Sequence, residues 1–285
     1  GCPFGQDVPE YIELCGKGLF IEALQVITAK NPLPFITGTI CAHHCMDKCM
    51  RNHYECPVNI RGTKLQAAEG AFEELLAITE MSREGEKVAI IGGGPAGLAA
   101  AYHAQKHGLQ ATVFEKRETL GGIVRNVIPG FRIDDDAIDN DVALIKKTGA
   151  EFVMGKEAPD VKELKAMGFD YIVLACGAEK KGRLNIEGSV MNVIDFLYAF
   201  KNGGELKLGR NVAVVGGGNT AMDAARAAKR AEGVEKVTLV YRRNRRYMPA
   251  DLEELELAIE DGVEFMELAS PVKQANGKLV CNKMK

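Results

Sequence analysis

Two kinds of residue in this 285-residue chain could do chemistry: cysteines crowded toward one end, and glycines set where strands turn into helices. Six of the eight cysteines, Cys2, Cys15, Cys41, Cys45, Cys49 and Cys56, fall within the first 56 residues. Cys41, Cys45 and Cys49 follow one another at four-residue steps, and Cys56-Pro57 comes soon after. In a helix the three thiols lie along one drifting stripe; in a loop they can surround one centre. Thiolate-rich sites select zinc or iron–sulfur clusters. His43 and His44 keep a tetrahedral zinc site open, although the paired C-x2-C knuckles common in such sites are lacking. In a secreted mini-domain the same crowding would read as disulfides. The chain's residues show no leader pattern and nucleotide-binding motifs follow, so metal ligation is expected.

The glycines form two copies of one motif. After the apolar run 87–91 comes Gly92-Gly93-Gly94-Pro95-Ala96-Gly97 and an alanine-rich stretch. Gly92 permits the turn off a strand, Gly94 lets backbone approach a pyrophosphate, and Gly97 lets a helix pack closely on a sheet. The helix N-terminus then offers its N–H groups to phosphate. A second apolar run ends in Glu115, 23 residues after Gly92, where a carboxylate can accept hydrogen bonds from a ribose diol, with Lys116 beside it. The second copy follows the run 211–215 as Gly216-Gly217-Gly218-Asn219-Thr220-Ala221. Its next strand, 237–241, ends in Arg242-Arg243 rather than an acid. Guanidinium groups suit a 2′-phosphate, so NADPH is expected over NADH. The bland alternatives are a ligand-free βαβ unit and a solvated basic loop.

These motifs need α/β units to position them, and the cysteines need something else. Residues 1–82 show no strand pattern. Pro9 to Val26 reads as a pair of short helices broken at Gly16 and Gly18, and a longer helix is expected from Thr63 as N-cap. Ser82 to Glu86 reads as a linker. The composition is 46% hydrophobic and the net charge is −3, from 36 basic and 39 acidic residues, so nothing global attracts nucleic acid or an anionic membrane. With no long apolar run and no leader pattern, a cytoplasmic location is expected.

Two dinucleotide units in tandem, one closed by Glu and one by Arg, are what a flavoprotein oxidising NADPH requires. On these motifs, and on Gly1-Cys2-Pro3 with Cys41 and Cys45, the chain resembles the glutamate synthase small subunit and the matching N-terminal part of dihydropyrimidine dehydrogenase. It is nearest in texture to the type named for YgfK, a candidate selenate reductase. The resemblance implies a helical iron–sulfur domain at 1–82, the first part of an FAD-binding domain at 83–205 and an incomplete NAD(P)H-binding domain at 206–285. It also implies that the stretch completing the FAD domain is missing beyond Lys285. It places Gly121, Gly122, Arg125 and Ile128 near the flavin, and Ala175 and Gly177 in the turn between the domains, with Cys176 packed as a small residue. It gives Cys2, Cys41 and Cys45 to one [4Fe-4S] cluster and Cys49 to a second, whose other cysteines would lie upstream. The first cluster's fourth ligand in the family, a Gln or Glu, stands at Lys64 here, and Cys56 is expected to substitute.

The expected activity is transfer of electrons from NADPH through FAD to iron–sulfur clusters and on to a partner subunit or fused domain. Hydride transfer to a flavin needs stacking and positioning, so no catalytic acid or base is nominated. Two alternatives stay open: a zinc-stabilised nucleotide-binding or assembly module without turnover, and a thioredoxin reductase-like disulfide reductase. The second would want a C-x2-C pair that neither glycine unit holds.

Overall fold

The computed structural model describes residues 1–80, 84–178, 182 and 184–285, which leaves Ser82 and Arg83 of the expected linker outside the described residues. The chain divides into two compact units. Unit 1 comprises Gly1–Arg125 with Gly130–Gly177, and unit 2 comprises Asn126–Pro129 with Ala178–Lys285.

Unit 1 opens with helices α1 (Val8–Gly16), α2 (Phe20–Thr28), α3 (Pro34–Ile40), the single turn α4 (His44–Asp47) and α5 (Ile60–Ile78). Asp7 caps α1 by accepting from the Glu10 amide, and Gly18, at φ 76°, makes the left-handed turn that sends α2 back over α1. Tyr11, Ala23, Ile27, Ile60 and Ala67 form the core between them, with Cys15, Cys45 and Met46 packed against it. The cap of α5 is Asn59, which accepts from the Gly62 amide, rather than Thr63; the Thr63 hydroxyl sits inside the first turn and donates to the Asn59 carbonyl. An Asn four residues upstream can satisfy an earlier N–H, and the helix starts there. It kinks at Ala71, next to Gly70, whose missing side chain leaves room for the Phe20 ring.

The rest of unit 1 is a parallel sheet in the order β3-β2-β1-β4, with strands β1 (Lys87–Ile91), β2 (Gln110–Glu115), β3 (Glu151–Met154) and β4 (Tyr171–Leu174). The connections are α6 (Pro95–Lys106), then α7 (Gly122–Asn126) and α8 (Asp135–Lys147), then α9 (Val161–Ala166). Ala89, Phe114 and Leu164 pack one face, with Phe169 edge-on to Phe114 at 5.8 Å. The helical segment joins this sheet domain through Asp141 of α8. Its buried carboxylate accepts from the amides of Phe35 (3.1 Å) and Ile36 (2.8 Å), at the start of α3.

Unit 2 carries α10 (Val193–Lys201), a parallel sheet β5-β6-β7 formed by Asn211–Val215, Lys236–Val240 and Glu264–Met266, and the hairpin β8 (Ala269–Ala275) and β9 (Lys278–Lys283). Helix α11 (Asn219–Arg230) buries nearly its whole length, and α12 (Leu252–Glu260) lies against it. The edge strand β5 borders a recess of about 1470 Å³ lined in part by Val212, Val214, Phe196 and Leu279.

Asp261, just past α12, accepts from Arg226 Nε at 2.7 Å and from Arg230 Nη1 at 2.5 Å, clamping α12 onto α11. Those guanidinium groups, Arg230 first, hold its pKa below the ordinary carboxylate value against the effect of burial. Stability from this clamp is therefore present above pH about 4 and is lost as pH falls through the lowered native value. Asp261→Asn is expected to cost about 2–3 kcal/mol near neutral pH, because the largely buried Arg226 loses its close partner. The gap between variant and wild type should shrink when urea unfolding is repeated below pH about 4; a gap independent of pH would show that charge is not its origin.

Candidate dinucleotide crevices and thiol cage

The unit 1 crevice is built from backbone. Gly92 turns off β1 at φ 113°, and a Cβ there would lie 2.4 Å from the Ala175 carbonyl oxygen. Gly97, in the first turn of α6, sits against the Gly92 carbonyl so closely that a Cβ would come within 1.8 Å of its oxygen. Gly94 is different: its N-cap position is open, and a Cβ would meet only the Gly122 Cα, at 3.7 Å. Having no side chain, Gly94 cannot cap α6, so the amides of Ala96 and Gly97 stay available behind Pro95. Gly122, at φ 56°, brings its own backbone to the other side of the gap, and the Gly121 amide donates to the Gly93 carbonyl at 2.8 Å. Backbone donors at an open turn of this kind could hold a pyrophosphate.

Glu115 ends β2 beside the turn. Its buried carboxylate accepts from the Gly93 amide (2.7 Å) and the Arg117 amide (3.0 Å), which fixes its direction and leaves each oxygen further acceptor capacity. Lys116 is exposed. Arg125 donates to the Leu120 carbonyl at 2.7 Å and pairs with Asp139 and Asp135 of α8. Ile128 falls in the short stretch Asn126–Pro129, which belongs to unit 2. Ala175 donates its amide to the Ile91 carbonyl at 2.8 Å, and Gly177 ends the unit at φ 74°. Cys176, expected to be packed, is exposed, because β4 is an edge strand and the turn beyond it lies on the surface.

The second crevice repeats the plan. A Cβ on Gly216 would meet Ala221 Cβ at 2.9 Å, and one on Gly217 would strike the Tyr241 ring at 2.4 Å, whereas Gly218 faces open space. Asn219 exchanges two hydrogen bonds with Asp251: its Nδ2 donates to the carboxylate at 3.0 Å, and its Oδ1 accepts from the Asp251 amide at 2.9 Å. The Ala250 amide donates to the Gly217 carbonyl. The loop after β6 is thus fastened to the glycine turn by Asp251, a role that spacing within either motif does not reveal. Thr220 is exposed. Arg242 and Arg243 are also exposed and form no ion pair among the described residues, while Arg245 is engaged by Glu256 at 2.9 Å. A recess of about 550 Å³ lies by this loop, lined by Arg245, Arg246, Met248, Ala250, Leu252 and Leu255.

In the helical segment the structure gathers Cys2, Cys41 and Cys45. Burial, then Cys41 and Cys2, push the Cys45 thiol up; Tyr11 is likewise raised by burial, then by Cys45, Cys2, Cys41 and Cys15. Cys41 follows directly on α3, His43 makes the left-handed turn into α4 at φ 36°, and Gly1 packs on Cys45. Cys2 Sγ lies 3.7 Å from Gln6 Oε1. Cys49 stands apart: backbone N–H groups of Val58 and Arg51 donate to its sulfur and lower its pKa. Cys15 packs in the helical core, with its Sγ 3.9 Å from the Thr63 carbonyl oxygen. Cys56 is exposed, and Lys64 counts Cys41, Cys2 and Cys45 among its charged neighbours. Among the described residues no three His, Cys, Asp or Glu side chains converge on a point that one metal ion could occupy, as tetrahedral zinc requires. A cluster spreads its thiolates over separate irons, which suits a looser cage.

Residues 86–283 match the pyridine nucleotide-disulphide oxidoreductase family model. The chain belongs to this family. Residues 1–75 match the model described as dihydropyrimidine dehydrogenase domain II, 4Fe-4S cluster. Among curated relatives, the Escherichia coli (strain K12) oxidoreductase YgfK is 43% identical over 99% of this chain and 28% of its own length. The NADPH-Fe(3+) oxidoreductase subunit beta of Geobacter sulfurreducens is 36% identical over 93% of this chain and 41% of its own. The glutamate synthase [NADPH] small chain of E. coli is 30% identical over 99% of this chain and 65% of its own. The chain therefore spans from about a quarter to two thirds of the length of these relatives. The resemblance to the glutamate synthase small subunit and the dihydropyrimidine dehydrogenase type holds, as does the reading of an FAD, NAD(P) and iron–sulfur oxidoreductase of α/β architecture behind a helical [4Fe-4S] segment. Among the described residues no helix is long and apolar enough to cross a membrane.

The two unit 1 glycines separate folding from binding. Gly97→Ala forces its methyl into the Gly92 carbonyl and is expected to destabilise unit 1 by about 3 kcal/mol or more. Gly94→Ala should leave the melting temperature of the full-length protein within a few degrees while lowering its flavin content. Flavin absorbance per mole of protein beside a thermal melt measures both, and full flavin in Gly94→Ala would remove the cradle assignment.

Proposed function

We propose that this chain is the electron-input part of a larger oxidoreductase, taking hydride from NADPH at the unit 2 crevice and passing electrons through FAD at the unit 1 crevice to a [4Fe-4S] cluster held by Cys2, Cys41 and Cys45, and from there to a partner subunit or fused domain. The observation that carries the reading is the contrast between the two glycine-turned helix ends. One is closed by the buried carboxylate of Glu115, and the other is followed by a strand that ends in the exposed guanidinium groups of Arg242 and Arg243.

When bound, FAD accepts hydride and releases electrons singly, which lets a two-electron donor feed one-electron clusters. The work of this chain's residues is to bind and orient. Amides at the start of α6 hold pyrophosphate, with Gly94 and Gly122 keeping the approach clear; Glu115 accepts from a ribose diol; Arg125, anchored by Asp139 and Asp135, offers its remaining donors at the flavin side. In unit 2 the start of α11 serves the nicotinamide dinucleotide, Asp251 and Asn219 fix the loop over it, and Arg242 and Arg243 meet the 2′-phosphate. The names of relatives that specify NADPH support that choice of donor. We assign no catalytic acid or base. Cys49 would serve a second cluster completed by sequence outside this chain, and Cys56, exposed here, would supply the fourth ligand of the first.

In the full-length protein, kcat/KM for NADPH is expected to exceed that for NADH by at least about a hundredfold, and Arg242→Ala with Arg243→Ala should remove most of the difference by weakening NADPH alone. Steady-state kinetics with an artificial acceptor read this out. Equal efficiency with both nucleotides in the wild type would end the assignment.

A further inference from the structure

Helix α8 turns one face to the interior of unit 1, where Ile138, Asp141, Val142 and Ile145 form a buried stripe at helical spacing. Asp141, at 0% exposure, puts a carboxyl group where packing alone would take another aliphatic side chain. Its partners explain it. Helix α3 begins without a cap of its own: Leu33 at the N-cap position offers no side-chain hydrogen bond, and Pro34 has no N–H. The Thr37 amide closes on the Leu33 carbonyl at 3.0 Å, which leaves Phe35 and Ile36 as the open donors of the first turn. Asp141 takes both, one on each oxygen, at 3.1 and 2.8 Å. The cap of α3 thus comes from the domain that carries the flavin crevice. At its other end α3 runs out into Cys41, and between the two Gly38 presses on α5, where a Cβ would come within 2.9 Å of Leu65 Cβ. Helix α8 is in turn held to α6, whose first turn makes the crevice, because Gln105 of α6 donates to the Thr148 carbonyl just past α8 at 2.8 Å. A continuous path of helices, α6 to α8 to α3, joins the glycine turn to the thiol cage, and Asp141 is the joint between the last two.

We propose that Asp141 is a positioning residue for electron transfer from flavin to cluster: by capping α3 from α8 it fixes where the Cys41 end of the thiol cage stands relative to the first turn of α6. This rests on the reading above that FAD occupies the unit 1 crevice and a cluster the thiols of Cys2, Cys41 and Cys45. Each step moves one electron from reduced flavin to cluster, and no bond to Asp141 forms or breaks. Its part is to hold a distance, on which the rate of electron transfer depends steeply. Two buried amides left without an acceptor are unfavourable, so removing the carboxyl group lets the first turn of α3 open and the Cys41 end shift with it.

The test uses the full-length protein with Asp141→Leu, which keeps the side chain's outline and offers no acceptor, and Asp141→Asn, which keeps one. Hydrogen exchange of the segment 34–41 and iron and sulfide content are measured on each. Anaerobic mixing with NADPH is then followed by flavin absorbance and by rapid-freeze electron paramagnetic resonance, the signal lost in Cys41→Ser marking the cluster concerned. Asp141→Leu is expected to keep its iron and to speed exchange in the segment by about tenfold or more. It should slow reduction of that cluster by about tenfold or more while flavin reduction stays within about twofold of wild type. Asp141→Asn should fall between, and it carries the test alone if the leucine variant does not fold. Ile145→Val, a buried change one turn further along α8, should leave both rates at their wild-type values. Cluster reduction at the wild-type rate, or unchanged exchange, in a cluster-loaded Asp141 variant overturns the proposal. So does loss of iron, which would make Asp141 a support for assembly of the cage, or equal slowing in Ile145→Val. A wild-type protein whose flavin is reduced while the Cys41-dependent signal never appears fails at the proposed function itself, before any substitution is made.

Discussion

The contact between the Gly92 carbonyl and the first turn of α6 at Gly97 is the constraint from which unit 1 follows. No side chain fits there, so the helix begins almost on top of the strand, and its amide ends meet the open backbone at Gly94 and Gly122. Every other feature of the crevice is fastened to that meeting point: Glu115 by the Gly93 amide, Gly121 by the Gly93 carbonyl, and the β4 turn by the Ala175 carbonyl lying over Gly92. A binding surface made of backbone is rigid, because its shape is set by the same hydrogen bonds that make the sheet. It suits a group whose chief demand is donors aimed at phosphate oxygens. Unit 2 reaches a related surface with different means, a tyrosine ring over Gly217 and an Asn–Asp exchange across the loop.

The thiol cage depends on another kind of constraint. Its three cysteines come from the chain's first residues, the end of α3 and the turn at α4, and no single element holds them together. What gathers them is the packing of short helices on the Tyr11, Ile27 and Ala67 core, with Asp141 of the sheet domain fixing the start of α3. Withdrawing Asp141 and Lys64 from water moves each toward its neutral form, the Asp141 carboxyl up to about 8 and the Lys64 amine down.

Much of this was legible in residue types and spacing. The two glycine turns announced their strands and helices because the constraint there is local and steric, and Gly16 and Gly18 announced the break between α1 and α2 for the same reason. The terminal Glu115 and Arg242 followed from the strand lengths. What sequence did not disclose was tertiary. Asp141 meets Phe35 and Ile36 across more than a hundred residues, and Asp251 meets Asn219 across 32, so neither lay in any motif. Thr63 looked like the cap of α5, and only the geometry of the first turn decides for Asn59. The resemblance implied that Cys176 packs as a small residue, but it follows an edge strand whose last residue, Leu174, is itself 70% exposed.

The central claim is that two dinucleotides and a cluster form one electron path in the parent protein. An anaerobic titration of the intact polypeptide with NADPH tests it most directly, with flavin absorbance and cluster signals followed together. The account predicts that flavin colour bleaches with one equivalent of NADPH per flavin and that the cluster assigned to Cys2, Cys41 and Cys45 then becomes reduced. Flavin that stays oxidised under excess NADPH, or a reduced flavin that never passes electrons to that cluster, would contradict it.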